Sequence, residues 1–219
     1  MEERKHIVIL AAGDFPTHPV PLRALREADM VVCCDSAYTQ FSTFNFQFSI
    51  PFIVIGDGDS ISPEDRTALG DKFIHIEEQD YNDLHKAMQW ATSQFSILNS
   101  HFSIIGATGK REDHTLGNIS YLVTFAEEHP GIDIEMLTDH GCFTAFLGRR
   151  TFASFPRQQV SVFALDPTVP FSGSGLDYLL DNMKTSRWWQ ATLNAATSES
   201  FSLWSEGCLI VFQTHEPKE

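Results

Sequence analysis

The sequence predicts an α/β fold: a Rossmann-like three-layer domain with a mostly parallel sheet, followed by an antiparallel β-sandwich domain. Three observations predict it. From residue 7 to about 137, short apolar runs alternate with amphipathic stretches. Those runs are continuous rather than alternating, which marks strands covered on both faces, as in a parallel sheet. After about residue 140 the helical stretches stop, and strand-like runs recur between Gly, Pro, Asp and Asn. That is the pattern of an antiparallel sandwich. The boundary falls near residue 139, giving a first domain over 1–139 and a second over 140–219.

The predicted strands of the first domain are Ile7–Leu10, Met30–Cys33, Phe52–Ile55, Phe73–Ile76 and Phe102–Ile105, with a sixth near Ile132–Leu137. The clearest predicted helix runs from Asp83 to Leu98, with Leu84, Ala87, Met88, Ala91 and Phe95 at helical spacing. Another begins near Asp113 and places Leu116, Ile119, Leu122, Val123 and Ala126 on one side. Strands alternating with helices imply right-handed crossovers. The Phe-rich segment Gln40–Ile50 is expected to cover a sheet edge or the core. In the second domain, strand-like runs are expected at Phe143–Leu147, Thr151–Phe155, Val160–Ala164, Gln190–Asn194, Phe201–Trp204 and Cys208–Phe212. Trp188, Trp189 and Trp204 read as core or interface residues.

Composition narrows the function. A chain of 219 residues with 42% hydrophobic and 20% charged residues is that of an ordinary globular protein able to bury a sizeable core. The net charge of -14 argues against nucleic acid as a partner, which needs a basic face. Such a chain binds polyanions only where metal ions or helix N-termini reverse the field. Met1–Leu10 carries charge and then a short apolar run, with no small-residue cleavage site after it and no bilayer-length apolar stretch in the chain. A cytoplasmic protein without a membrane partner is expected. The four cysteines form no C-x-x-C pair, so buried free thiols are expected rather than a zinc site or disulfides.

The informative fact is positional. Each of the five strong apolar runs ends in polar, glycine-bearing or acidic residues. These are Ala11–Asp14, Asp35-Ser36, Gly56–Ser60, Glu77–Asp83 and Gly106–Gly109. In a parallel sheet all five emerge at one carboxyl edge, where open α/β proteins bind ligands. Gly56-Asp57-Gly58-Asp59-Ser60 sets two carboxylates on a tight turn, hard oxygen ligands that suit magnesium; a solvated Asx-rich turn is the bland alternative. Glu78–Asp83 leads into the amphipathic helix, where Asp80 or Asn82 can cap and Asp83 can face the same turn. Gly106–His114 is a glycine turn entering a helix, with Arg111 able to grip phosphate. It lacks P-loop spacing. No G-x-S-x-G elbow supports a serine nucleophile, and His114, beside Asp113, reads first as a capping or structural residue rather than a general base.

GDGDS after a strand, QDYNDLHKA opening a helix and GATGKREDHTLGN opening the next together resemble the thiamine pyrophosphokinase family. The resemblance covers essentially the whole chain. It implies diphosphate transfer from ATP to the hydroxyl of thiamine, with Mg2+ held by Asp57, Asp59 and Asp83. Asp57, Asp59, Asp83, Arg111 and Asp113 would form the catalytic set, Asp83 being the candidate to take the hydroxyl proton. Asp35, Gly106, Thr108, Gly109, Arg111 and Asn118 would bind nucleotide, with Lys86 supporting. Gln79, Ser174, Leu176, Tyr178 and Asn194 would bind thiamine, Tyr178 by stacking. A homodimer with the active site at the subunit interface is implied as well. Three positions depart from the family pattern: Gly58 stands where Phe is frequent, Asp35-Ser36-Ala37 replaces Asp-Gly-Gly, and Asn82 replaces Thr. A pyrophosphokinase for another alcohol such as a hydroxymethyl-pterin, an inactive thiamine- or nucleotide-sensing protein, and a magnesium phosphohydrolase are the alternatives.

Overall fold

The computed structural model describes residues 3–217 and divides into two compact units. One runs to Tyr121 and includes Ile132–Asp139; the other takes Leu122–Gly131 and the chain from His140 onward.

In the first unit the apolar runs form β1 (Lys5–Leu10), β2 (Met30–Cys34), β3 (Phe52–Gly56), β4 (Phe73–His75), β5 (Ser100–Ile105) and β6 (Asp133–Leu137). All pair in parallel, in the order β6-β5-β1-β2-β3-β4. Successive residues Ile7, Val8 and Ile9 are all fully buried, so both faces of the sheet are covered, as continuous hydrophobicity requires. The chain steps outward from β1 to β4, then crosses back to β5 on the other side of β1. The divergence between β1 and β5 is the topological switch point, where such sheets open a crevice.

Between the strands lie α1 (Pro19–Arg26), α2 (Tyr38–Asn45), α3 (Pro63–Leu69), α4 (Asp83–Gln94) and α5 (Glu112–Glu128). Local chemistry starts them. Ser62 caps α3 by accepting from the Asp65 amide at 3.0 Å, and Asn82 caps α4 by accepting from His85 N at 3.0 Å. The predicted extension of α4 to Leu98 is corrected: Phe95 is extended at φ -117°, ψ 142°, and Ile97–Asn99 forms a separate 3-10 turn. The Phe-rich segment is also only partly as expected. Phe41 is fully buried, but Phe46 is 90% exposed, because α2 ends before it.

The second unit holds β7 (Gly141–Ala153), β8 (Gln158–Ala164), β9 (Phe171–Ser174), β10 (Leu180–Met183), β11 (Asn194–Ala195) and β12 (Ser200–Pro217). The early part of β12 pairs with β9, Ser202–Ser205, and the later part with β8 from Leu209, while β7 runs antiparallel along both. The register shift between Ser205 and Leu209 marks the exchange of partners, so one long strand serves both layers of the sandwich. Phe146, Phe152, Val160, Val162, Phe171, Phe201 and Leu203 belong to its core. Two pairs of predicted runs are therefore single strands: β7 joins Phe143–Leu147 to Thr151–Ala153 of the run expected at Thr151–Phe155, and β12 joins Phe201–Trp204 to Cys208–Phe212. The expected strand at Gln190–Asn194 is corrected: Gln190 and Ala191 close a 3-10 turn, Trp188–Ala191, held by the Gln190 side chain accepting from the Ser186 and Arg187 amides, and only Asn194 is in a strand. Trp188 and Trp189 are exposed, as is much of Trp204, which rules out the core half of the core-or-interface expectation. All four cysteines are free, three of them buried. Among the described residues no helix is long and apolar enough to cross a membrane.

Candidate functional site

The loops after β1 and β5 are joined by main-chain bonds. Ala11 N donates to Ile105 O at 2.8 Å, Gly13 N to Gly106 O at 2.6 Å and Asp14 N to Thr108 O at 2.9 Å. A Cβ on Gly13 would lie 2.3 Å from the Thr108 carbonyl oxygen, so this approach needs glycine. Lys110 adds a bond from Nζ to Ala12 O at 2.7 Å. The two loops at the switch point thus form one floor.

Beside it, the ends of β2 and β3 bring three carboxylates together. Asp35, Asp57 and Asp59 each offer an oxygen within 4.8 Å of the others. The sequence places Asp35 in the nucleotide set, but in the structure it joins the GDGDS acids because β2 and β3 are neighbours. Asp35 is buried and accepts from Gly58 N at 3.1 Å. Burial pushes its carboxyl up, against the Gly58 and Ser36 amides, and the charges of Asp57 and Asp59 push the same way as burial. Asp57 is held below the usual range, chiefly by Gln79 Nε2 donating at 3.0 Å and then by the Asp59 amide. Among the described residues none of the three forms an ion pair. Two carboxylates at this spacing repel by roughly 3–4 kcal/mol at an effective dielectric of 20. Three uncompensated hard oxygen donors fit a divalent cation of the magnesium type.

Asp83, assigned to the metal set, lies outside that trio. Its carboxylate pairs with Lys86 Nζ at 3.6 Å, one turn along α4, where Lys86 is only 4% exposed. Burial pushes the Asp83 carboxyl up, and the Asp35 charge adds to that while Lys86 opposes it. Asp83 lines a pocket of about 310 Å³ with Gly13, Ser36, Asn82, Gly109, Arg111 and Asn118, among others. Arg111 and Asp113 stand at the start of α5 as an exposed bidentate pair, 3.0 and 2.6 Å, and the guanidinium holds the Asp113 carboxyl near 2. Gly106 and Thr108 serve the floor through their carbonyls rather than lining the pocket. His114 N donates to Asp113 Oδ1 at 3.0 Å within the first turn of α5, and His114 also lines the pocket.

The remaining assigned residues lie in the second unit. Ser174 ends β9 and is exposed, and Leu176 bridges to Ala196. Tyr178 is 66% exposed, so its ring is not packed in the core. Asn194 is buried, and its side chain brackets the Tyr178 main chain, accepting from N and donating to O, both at 2.9 Å. It therefore positions the loop carrying Tyr178.

Fold and edge together define a class: an open α/β protein with an acidic, pocketed carboxyl edge, followed by an antiparallel β unit. Comparison with known proteins makes the class specific. The family model for the thiamin pyrophosphokinase catalytic domain matches residues 22–136, and that for its substrate-binding domain matches residues 141–212. Thiamin pyrophosphokinase 1 of Caenorhabditis elegans is 35% identical over 80 residues, covering 35% of this chain and 32% of that protein. Thiamine pyrophosphokinase 1 of Oryza sativa subsp. japonica is 36% identical over 96 residues, 41% of this chain and 35% of its own length. The matched stretches thus span about a third of these relatives. The solved thiamin pyrophosphokinase of Candida albicans shares the fold at TM-score 0.80 and 19% identity, over 96% of this chain and 90% of that one. That of Geobacillus thermodenitrificans gives 0.77 and 26%, over 96% and 98%. The chain belongs to the thiamin pyrophosphokinase family.

Proposed function

We propose that this chain is a thiamine pyrophosphokinase, transferring diphosphate from ATP to the hydroxyl of thiamine and releasing AMP. The convergence of Asp35, Asp57 and Asp59 beside the pocket, in a chain of this family, carries the reading. In the reaction the thiamine oxygen bonds to the β-phosphorus, the bridge between α- and β-phosphates breaks, AMP leaves, and the hydroxyl proton passes to a base. Magnesium on these three carboxylates would neutralise phosphate charge. Gln79 fixes Asp57 by its amide and so orients a metal-facing oxygen. Asp83, in the pocket wall, is the candidate proton acceptor, with Lys86 holding its carboxylate. Arg111 would meet phosphate by exchanging its Asp113 partner for a ligand oxygen. Tyr178, exposed and bracketed by Asn194, suits stacking against a cationic aromatic ring. A homodimer belongs to the same reading, supported by the exposed rings of Tyr178, Trp188 and Trp189. So does a cytoplasmic location, which four free cysteines support.

The test is AMP release from Mg-ATP with and without thiamine, the products being identified by mass spectrometry. Thiamine-dependent AMP with thiamine diphosphate is the expected result. AMP only with a pterin alcohol would replace the acceptor, and AMP or phosphate release without any alcohol would replace transfer by hydrolysis. Thiamine binding with no turnover would leave a sensor.

A further inference from the structure

We propose that Asn82 is a positioning residue for the nucleotide pocket, acting through Asn118 to set the start of α4 against the glycine turn after β5. The proposal rests on the reading that this pocket takes Mg-ATP. Three hydrogen bonds carry it. Asn82 Oδ1 accepts from the His85 amide at 3.0 Å, Asn82 Nδ2 donates to Asn118 Oδ1 at 3.1 Å, and Asn118 Nδ2 donates to Ala107 O at 2.7 Å. Asn82, Asn118 and Ala107 all line the pocket, and Asn118 is buried.

The direction of this relay is fixed at both ends. A main-chain amide needs the Asn82 oxygen, so its NH2 group faces Asn118; the Ala107 carbonyl only accepts, so Asn118 turns its own NH2 group there and its oxygen back to Asn82. Flipping either carboxamide would oppose like groups at two contacts. The relay ties residue 82, next to Asp83, to residue 107, between Gly106 and Thr108. Capping alone does not call for asparagine, since Ser, Thr and Asp cap about as well. Only a side chain with a separate acceptor and donor at this length caps α4 and reaches Asn118 together. An ionised Asp has no proton to donate, and a Ser or Thr hydroxyl is a shorter group with one oxygen for both contacts.

The experiment uses the full chain with N82S and N82T, which keep the cap and lose the relay, N118S, and both double variants. Equilibrium binding of Mg-ATP, thiamine-dependent AMP release and the thermal midpoint are measured on each. N82S and N82T should hold their thermal midpoints, raise the Kd and KM for Mg-ATP about 5-fold with kcat little changed, and add nothing further in the N118S background. Unchanged Mg-ATP affinity in both, or equal losses with and without Asn118, would overturn the relay. So would loss of affinity in step with loss of fold, repaired when a stabilising osmolyte restores the fold. A parent that binds Mg-ATP without thiamine-dependent AMP release removes the proposed reaction and leaves the relay standing. A parent that turns over normally beside unaffected variants removes the relay alone, and one that binds no Mg-ATP overturns both.

Discussion

Gly58 shows how much one side chain decides at this edge. Its φ of +79° lies in the left-handed region, and a Cβ there would stand 3.0 Å from Phe73 Cζ and 3.1 Å from Arg66 Nη1. Arg66 in turn lies over the Phe73 ring, 4.8 Å from its centroid. Glycine at position 58 thus leaves room for the Phe73 ring of β4 and the Arg66 guanidinium over it. Gly58→Ala should lower stability by about 1–2 kcal/mol through the backbone alone. Gly58→Phe should cost more and weaken Mg2+ binding several-fold, because the turn carries Asp57 and Asp59. Urea unfolding and magnesium titration of the full chain measure both effects; a fully stable Gly58→Phe chain would show that the turn rearranges freely. Both GDGDS carboxylates were legible in the sequence as an adjacent pair. Asp35 was legible as an acid at a strand end, but its place among them was not. That depends on β2 lying beside β3 and on the burial of its carboxyl, and neither is written in local spacing.

At the scale of the element, α4 is a carrier. Its cap, its Asp83 and its Lys86 sit within two turns, and Lys86 is buried with Asp83 as its ion-pair partner. Removing one partner of a buried pair leaves the other charge uncompensated, which costs more than the pair contributes. Burial and Asp35 together disfavour the Asp83 charge more than Lys86 favours it, so Asp83→Asn should change stability by less than about 1 kcal/mol while abolishing AMP release. Lys86→Met, which leaves the Asp83 charge without its favourable partner, should instead cost about 2 kcal/mol, and adding Asp83→Asn should recover most of that stability and none of the turnover. Comparing the urea midpoints and rates of these variants separates these roles; turnover returning with stability would remove Asp83 from the chemistry. The helix itself was visible from its apolar spacing, but its end was not, since Phe95 fits the helical period and yet turns extended. The long strands of the second unit are not legible in the sequence for a related reason. Gly148, at φ +77°, and the shift between Ser205 and Leu209 look like chain breaks in a sequence, whereas in the sheet they are irregularities inside β7 and β12.

The α/β unit as a whole was legible because parallel strands buried on both faces leave a continuous apolar trace, and topology then gathers their carboxyl ends. What joins the strands at the other end was not legible, because it draws on residues nearly a hundred positions apart. His101 of β5 bonds to Asp133 and Glu135 of β6 at 2.9 and 3.0 Å, and Ser103 links it to His6 of β1 at 3.1 and 3.0 Å. Burial opposes the charge on His101, but hydrogen bonds to Asp133 and Glu135 and their charges overcome it and raise its pKa to about 9. His6, 5.1 Å away between ring centroids, is lowered by burial and by His101, with Glu135, Asp29 and Glu27 opposing. The stabilisation from charged His101 is complete below the unfolded value of about 6.5 and is lost as pH rises through about 9. Lowered His6 acts in the opposite sense, taking up a proton more readily in the unfolded chain as pH falls below about 6.5. Stability of the α/β unit should therefore peak near pH 6.5 and decline by on the order of 2 kcal/mol toward pH 9, allowing for the partial exposure of the network. His101→Gln, which keeps hydrogen-bonding capacity without the charge, should be flatter across that interval and less stable at its acid end. Urea unfolding followed by helical circular dichroism, which reports mainly on α1–α5, checks this. Parallel pH profiles for the parent and His101→Gln would mean that the two carboxylates hold β5 to β6 without help from the imidazolium charge.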